Sequence, residues 1–393
     1  MAQNDATTEL VDGNTAFALD LYAVLSEDDG NLFVSPYSIS QALAMTYAGA
    51  RGATATQMAD TLHFTLDQSM LPAAFQTLNG DLVTRGTAGA DPDNGYPPRS
   101  LQIANGLWGE QTFPFSITFS DQLAGYYGAG LQMADFQNDP DGVRDEINGW
   151  VAEHTEDNIE NIVPEGAITQ DSRLVLANAI YFYGGWLDTF HAKNTTPGDF
   201  TLLDGSITSV PFMHQQHFFS YAAGDGYQVI ELPYAGSQLA FTVILPDEEQ
   251  FDIVEQGLDA ASLDVALAGL GSRELVLSMP KFEFASSASL ADTLKALGMT
   301  DAFDANLADF SGMVDASAPS PLVISDVLHK AFIAVDEEGT EAAAATAIMM
   351  GEGAGAPTED PLEVTIDRPF IFLIRDTQTG AVLFIGRVMD PSA

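Results

Sequence analysis

Two stretches of this chain, 173–183 (RLVLANAIYFY) and 322–335 (LVISDVLHKAFIAV), are apolar at odd and even positions alike. Side chains of a β-strand point alternately to the two faces of its sheet. A strand that is apolar on both sides belongs in the middle of a sheet covered on both sides. The chain is therefore committed to a large layered structure, with helices or further strands packed over a central sheet.

The rest of the chain can supply those layers. The 393 residues would suggest two or three domains of ~150 residues on length alone. No Pro/Gly/Ser-rich linker divides them, and helical and strand patterns mix throughout, so one domain over 1–393 is expected. Apolar spacing predicts a helix over 9–25 and a short strand over 32–34. Ser35-Pro36, a capping residue followed by a first-turn proline, opens a helix that runs to about 49. Residues 60–84 read as mostly helical, 86–99 (GTAGADPDNGYPPR) as a surface loop. Further along, strands are expected at 101–108, 210–213, 228–232, 240–245, 274–279, 370–375 and 382–387. Helices are expected at 116–127, 142–154, 251–258 and 290–296.

Charge is the second constraint. Fifty-six acidic residues face 13 basic ones, a net charge of −43, and only four lysines remain. Such a surface repels nucleic acid and anionic membranes. Disordered chains combine high charge with few apolar residues, whereas 46% of this chain is hydrophobic. A folded protein adapted to high salt is the better reading, since the screening length contracts to ~3 Å at molar ionic strength. With no cysteine, disulfides, thiolate metal sites and a cysteine nucleophile are excluded. The first residues, MAQNDATTELVDG, carry no signal-peptide pattern, and no apolar run approaches the ~20 residues of a membrane span.

Catalytic signatures are missing. There is no Gly-x-Ser-x-Gly elbow, no His-Glu-x-x-His helix and no phosphate-binding loop around Gly351, Gly353 and Gly355. His214 and His217 are close in sequence but lack a third ligand, so no metal site and no cofactor are expected. Asn194-Thr195-Thr196 is a glycosylation sequon, relevant only to an exported chain. Carboxylate pairs arise by chance in so acidic a sequence.

What remains is a long segment between the last apolar strands, EEGTEAAAATAIMMGEGAGAPTEDP from Glu337. Unstructured segments of this length are uncommon in compact domains and are usually functional or disordered. Written as a strand, it puts Thr340, Ala342, Ala344, Thr346, Ile348 and Met350 on one face, none of them charged. Small, uncharged residues suit a segment that enters a packed sheet late. An Ala-rich linker or one more helix fits the same composition.

The blocks around the segment decide between these readings. NLFVSPYSISQALAMTYAGARGAT, LVLANAIYFYGGW, MPKFEF, LGMTDAF, LHKAFIAVDEEGTEAAAATA and RPFIFLIRDTQTGAVLFIGRVMDP, in this order over 14–391, resemble the serpin family. VDEEGTEAAAATA is similar to the hinge of inhibitory members. The resemblance implies an α+β serpin fold of three β-sheets with surrounding helices and an exposed reactive-centre loop at about 338–362. It implies a monomeric suicide substrate rather than an enzyme. A serine protease attacks the loop, forms a covalent acyl-enzyme, and is carried along as the loop inserts into the central sheet. The alternative within the family is a non-inhibitory chaperone or binding module.

Site residues follow from the same resemblance. The hinge comprises Glu337, Gly339, Thr340, Glu341, Ala342, Ala343, Ala344, Ala345 and Thr346. Ser35, Ser38, Asn178 and His329 match the polar shutter under the strands that must part. Trp186, Lys281 and Glu337 match the breach where insertion starts, with Lys281 and Glu337 as an ion pair. Spacing from Glu337 puts the scissile bond at Gly353–Ala354, with Met349, Met350 and Glu352 as neighbouring alternatives. No basic residue lies between Lys330 and Arg368, which argues against a trypsin-like target; Met349 or Met350 would suit a chymotrypsin- or subtilisin-like enzyme, and Glu352 a Glu-specific one. The absence of Lys/Arg clusters argues against activation by heparin-like polyanions. A prokaryotic, salt-adapted source and an extracellular site of action, with the cytoplasm as alternative, complete these expectations.

Overall fold

The computed structural model describes residues 2–87, 100–127, 130–155, 157–315, 317–318, 321–340 and 360–393. Among them the strands form two sheets. The smaller is built from β2 (Ser100–Glu110), β3 (Leu131–Ala134), β4 (Leu174–Gly185), β10 (Phe282–Ser289), β11 (Asp326–Val335) and β12 (Gly339–Thr340). Its order is β10-β11-β12-β4-β2-β3, with a second, direct pairing of β11 to β4. The larger sheet has the order β1-β15-β14-β8-β7-β6-β9-β13, with β5 on the side of β6. Its strands are β1 (Leu32–Val34), β5 (Thr196–Thr201), β6 (Ile207–Ala223), β7 (Tyr227–Pro233), β8 (Leu239–Pro246), β9 (Gly271–Pro280), β13 (Leu362–Thr365), β14 (Phe370–Asp376) and β15 (Val382–Val388).

The architecture expected from the resemblance is present, with two sheets distinguished where three were expected. β6 runs unbroken from its pairing with β5 and β9 to its pairing with β7. The strands of the expected third sheet are thereby hydrogen-bonded into the larger one.

The two doubly apolar stretches lie side by side in the middle of the smaller sheet. Along β4, Leu176, Ile180 and Phe182 join the core that extends from Leu10 to Val388. Val175, Ala177 and Ala179 point the other way, into a second cluster with Val143, Ile147 and Val151 of the helix Pro140–His154. The first cluster contains the helix Pro36–Tyr47, every residue of which is buried. Ser35 caps that helix, its hydroxyl accepting from the Ser38 amide.

Several boundaries differ from the sequence reading. The helix expected over 60–84 is two helices, Gly52–Thr61 and Leu71–Thr87. His63 between them takes a left-handed φ of 51°, which ends the first helix. Leu62, Phe64 and Leu66 still reach the core, and that burial is what gave the connection a helical look. The strand expected from 322 begins at Asp326. Leu322 and Ile324 are buried as coil, fixed by the Ile324 amide on the Ala302 carbonyl. The strand expected over 210–213 is part of the much longer β6.

Candidate functional site

β11 and β4 meet in two ways. In the middle of the sheet they pair directly and in parallel, Asp326–Ala331 against Val175–Ile180. At the upper end the pair is split. The chain turns back after Val335, and Gly339 and Thr340 lie between the two strands, antiparallel to both.

The middle seam is held by polar side chains inside an apolar core. His329 stands directly opposite Asn178 across the seam. Its Nδ1–H donates to Asn178 Oδ1 at 2.6 Å, and its Nε2 accepts from the Ser35 amide at 3.3 Å. Both nitrogens are committed in the neutral ring. Burial lowers its pKa to about 3, against a smaller upward pull from the backbone of Asn178. The Asn178 amide group donates to Ser38 Oγ and to Asn105 Oδ1, and Asn105 Nδ2 donates to Gln41 Oε1 at 3.2 Å. The Ser35 hydroxyl donates to the Leu383 carbonyl at 2.7 Å. Buried polar groups left unpaired cost ~1–3 kcal/mol each, so this network favours the closed seam only while each member keeps its partner.

The split end is organised around Trp186 and Glu337. Trp186 Nε1 donates to the Asp336 carbonyl at 2.9 Å, and its ring stacks on Tyr234 with centroids 5.0 Å apart. Tyr234 OH in turn bonds Thr340 Oγ1 at 2.6 Å, where Thr340 is 1% exposed. Lys281 Nζ and Thr195 Oγ1 each reach one carboxylate oxygen of Glu337 at 2.6 Å. Burial would raise the Glu337 pKa, but the bonds from Lys281 and Thr195 outweigh it and hold the carboxyl below its ordinary value. The turn itself is closed by Asp336 Oδ1, which accepts from the amides of Glu338 and Gly339. Gly339 leaves no room for a side chain, since a Cβ there would overlap the Gly184 carbonyl oxygen.

The sequence-predicted residues thus fall into two groups. Ser35, Ser38, Asn178 and His329 are brought together at the closed seam; Trp186, Lys281, Glu337, Gly339 and Thr340 at the split. Glu341, Ala342, Ala343, Ala344, Ala345 and Thr346 lie outside the described residues, as do Met349, Met350, Glu352, Gly353 and Ala354. Five participants escaped the sequence reading. Asn105 and Gln41 extend the seam network; Tyr234 and Thr195 anchor the split; Asp336 forms its turn. Asn105 carried a signal, being a polar residue in the apolar run LQIANGLW. Thr195 was visible only as part of a sequon.

His214 and His217 do not form a pair. Three residues apart on β6, they point to opposite faces: His214 bonds Ser278 and Thr196, and His217 lies 3.6 Å from Asp188. Among the described residues, no group of three or more acidic, histidine or cysteine side chains is placed to hold a metal ion. No helix among them is long and apolar enough to cross a membrane.

Known proteins similar to this chain are numerous. A family model described as "Serpin (serine protease inhibitor)" matches residues 12–391. The leukocyte elastase inhibitor of Homo sapiens is 37% identical, over 98% of this chain and 100% of that protein. An uncharacterized serpin-like protein of Thermococcus kodakarensis is also 37% identical, over 97% of this chain and 86% of its own length. Among solved structures, tengpin, a thermophilic serpin captured in the native state, superposes with a TM-score of 0.85. It is 30% identical, over 97% of this chain and 94% of that one.

Proposed function

The chain belongs to the serpin family, and from that membership we propose that it is an irreversible inhibitor of serine proteases, consumed as a suicide substrate. Its segment 338–362 is the bait. A chymotrypsin- or subtilisin-like enzyme attacks it, at Gly353–Ala354 or within the preceding residues from Met349. The acyl-enzyme forms as the protease serine bonds to the loop carbonyl and the new amine leaves. The freed strand then enters the smaller sheet from the hinge end, before water completes hydrolysis.

The observation that supports this reading most is the seating of Gly339 and Thr340 between β11 and β4. These two residues enter the sheet antiparallel to both neighbours, while the strands beyond them are joined to each other in parallel. Continued entry would exchange one parallel ladder for two antiparallel ones. Parallel pairing is slightly the less stable per residue, and the number of ladder bonds rises. At ~1 kcal/mol net per added bond, the gain is on the order of 10 kcal/mol before apolar burial. That rivals the ~5–15 kcal/mol stability of an ordinary domain and is enough to distort a tethered enzyme. The 37% identity to leukocyte elastase inhibitors supports inhibition over the chaperone alternative.

A salt-adapted source, an extracellular site of action and a monomeric state belong to the same proposal. They rest on the net charge of −43 and on the need to meet a protease. The test is incubation with chymotrypsin, elastase and subtilisin in molar salt, followed by a denaturing gel. A one-to-one covalent band, with a C-terminal peptide beginning at or near Ala354, is expected. Enzymes that cut the loop and stay fully active would overturn the inhibitory reading.

A further inference from the structure

One motif of the sequence plays no part in the loop mechanism. Asn194-Thr195-Thr196 is the only Asn-x-Ser/Thr triplet in the chain. Such triplets accept N-linked sugars when they lie at the surface of an exported protein. The fold presents this one. Ala192–Asn194 forms a single 3-10 turn with no buried residue, closed by the Asn194 amide on the His191 carbonyl at 2.8 Å. Asn194 is exposed, and no described residue bonds its side-chain amide.

The two threonines place the asparagine. Thr195 is half-buried, its hydroxyl donating to Glu337 Oε1 at 2.6 Å. Asn194 therefore stands one residue from the side chain that anchors the hinge, yet on the outside of the split. Thr196 opens β5, its hydroxyl 3.0 Å from His214 Nε2. Among the described strands β5 pairs with β6 alone, which leaves its other edge unpaired, and exposed edges are ordinarily covered or blunted. The charge of the segment is also unusual for this chain. No carboxylate lies between Asp188 and Asp199, and Lys193 directly precedes the asparagine.

We propose that Asn194 is a modification site and carries an N-linked oligosaccharide, rooted where the free edge of β5 begins. The donor is an oligosaccharide joined through phosphate to a lipid carrier. The bond from Asn194 Nδ2 to C1 of the first sugar forms, and the bond from C1 to the phosphate oxygen breaks. The lipid phosphate leaves with that electron pair, and the amide proton passes to water. A segment free of carboxylates does not repel so anionic a donor. The inference rests on the reading that the protein acts outside the cell, because the transfer accompanies export; it does not depend on protease trapping.

The experiment is intact-mass and peptide-mass analysis of the full chain, made from its whole gene in its own cells and recovered separately from medium and cell contents. The parent is compared with N194Q, T196A and T196S. The secreted parent and T196S are expected to exceed the polypeptide mass by one oligosaccharide, located on the peptide that contains Asn194. N194Q removes the acceptor and T196A the hydroxyl that the triplet requires, so both should lose the added mass completely. A secreted parent with the bare polypeptide mass would overturn the site and leave the extracellular reading standing. Added mass that persists in N194Q would overturn it as well. A chain found only inside the cell, at polypeptide mass, would overturn the extracellular reading and the site together.

Discussion

The two ends of the β4–β11 seam solve the same packing problem in opposite ways. In the middle, two strands apolar on both faces meet directly, and their contact is fastened by a buried polar network centred on His329 and Asn178. At the top the strands are parted by Gly339 and Thr340, and the gap is lined by Trp186, Tyr234 and the Lys281–Glu337 pair. The closed part is held by bonds that opening must break. The split part has already exchanged strand-to-strand pairing for pairing with the hinge. A sheet built this way has a direction in which it can be opened, starting from the hinge.

The sharpest way to break the comparison is to block the split end. Thr340 is buried and hydrogen-bonded to Tyr234. Thr340→Arg would put an uncompensated guanidinium between the strands, a burial that costs several kcal/mol. The hinge is then expelled, insertion stalls, and hydrolysis of the acyl-enzyme proceeds. The moles of inhibitor consumed per mole of protease silenced should rise at least about tenfold. An unchanged ratio would mean that Thr340 does not lead the strand into the sheet.

Next in size is the closed seam. Asn178→Ala removes the acceptor of His329 and the donor to Ser38 and Asn105 at once. With ~1–3 kcal/mol for each buried group left unpaired, chemical denaturation of the intact protein should show a loss of about 3 kcal/mol. A loss below about 0.5 kcal/mol would show that the network does not fasten the seam.

The same network predicts a pH dependence. The folded His329 ring takes its proton only near about pH 3, the unfolded chain near about 6.5. Between these values the unfolded state binds more protons, so stability falls as pH is lowered through the window, by at most ~1.4 kcal/mol per unit. Above about 6.5 the ring is neutral in both states and its contribution is constant. Comparing the parent with His329→Gln between pH 6.5 and 5, before most carboxylates titrate, isolates this slope. Equal slopes in the two proteins would count against a buried neutral ring.

Smallest is the ion pair at the split. Lys281 is one-third exposed and Glu337 mostly covered, and pairs of this kind contribute ~1 kcal/mol or less. Lys281→Met should cost about that much in low salt and less in molar salt, because screening already weakens the pair. A loss of several kcal/mol would mean that Lys281 organises the turn as a whole.

The contrast between the two ends also marks what the sequence could disclose. Period-two burial made β4 and β11 legible as central strands, and the face shared by Val327, His329, Ala331 and Ile333 is buried as the pattern requires. Ser35 as a helix cap was equally readable, because capping is local. The split was not. Its two-residue strand is too short to leave a period, and its partners Tyr234, Thr195 and Lys281 come from three distant segments. Chain topology, rather than spacing, brings them together. The length of β6 was hidden for a different reason: both of its faces are only partly buried through the middle, so polar and apolar residues do not alternate cleanly.

Thermal melting of the intact and loop-cleaved forms, across a salt series, tests the central claim most directly. Nicking a chain ordinarily destabilises it. Here the cleaved strand is expected to complete the ladder begun by Gly339 and Thr340. A gain on the order of 10 kcal/mol would raise the melting temperature by at least ~10 °C in a domain this large. Both forms should melt lower in dilute buffer, where 56 acidic residues repel one another with little screening. The gap between them should persist, because it comes from hydrogen bonds and burial. A cleaved form that melts at or below the intact one at every salt concentration would contradict insertion.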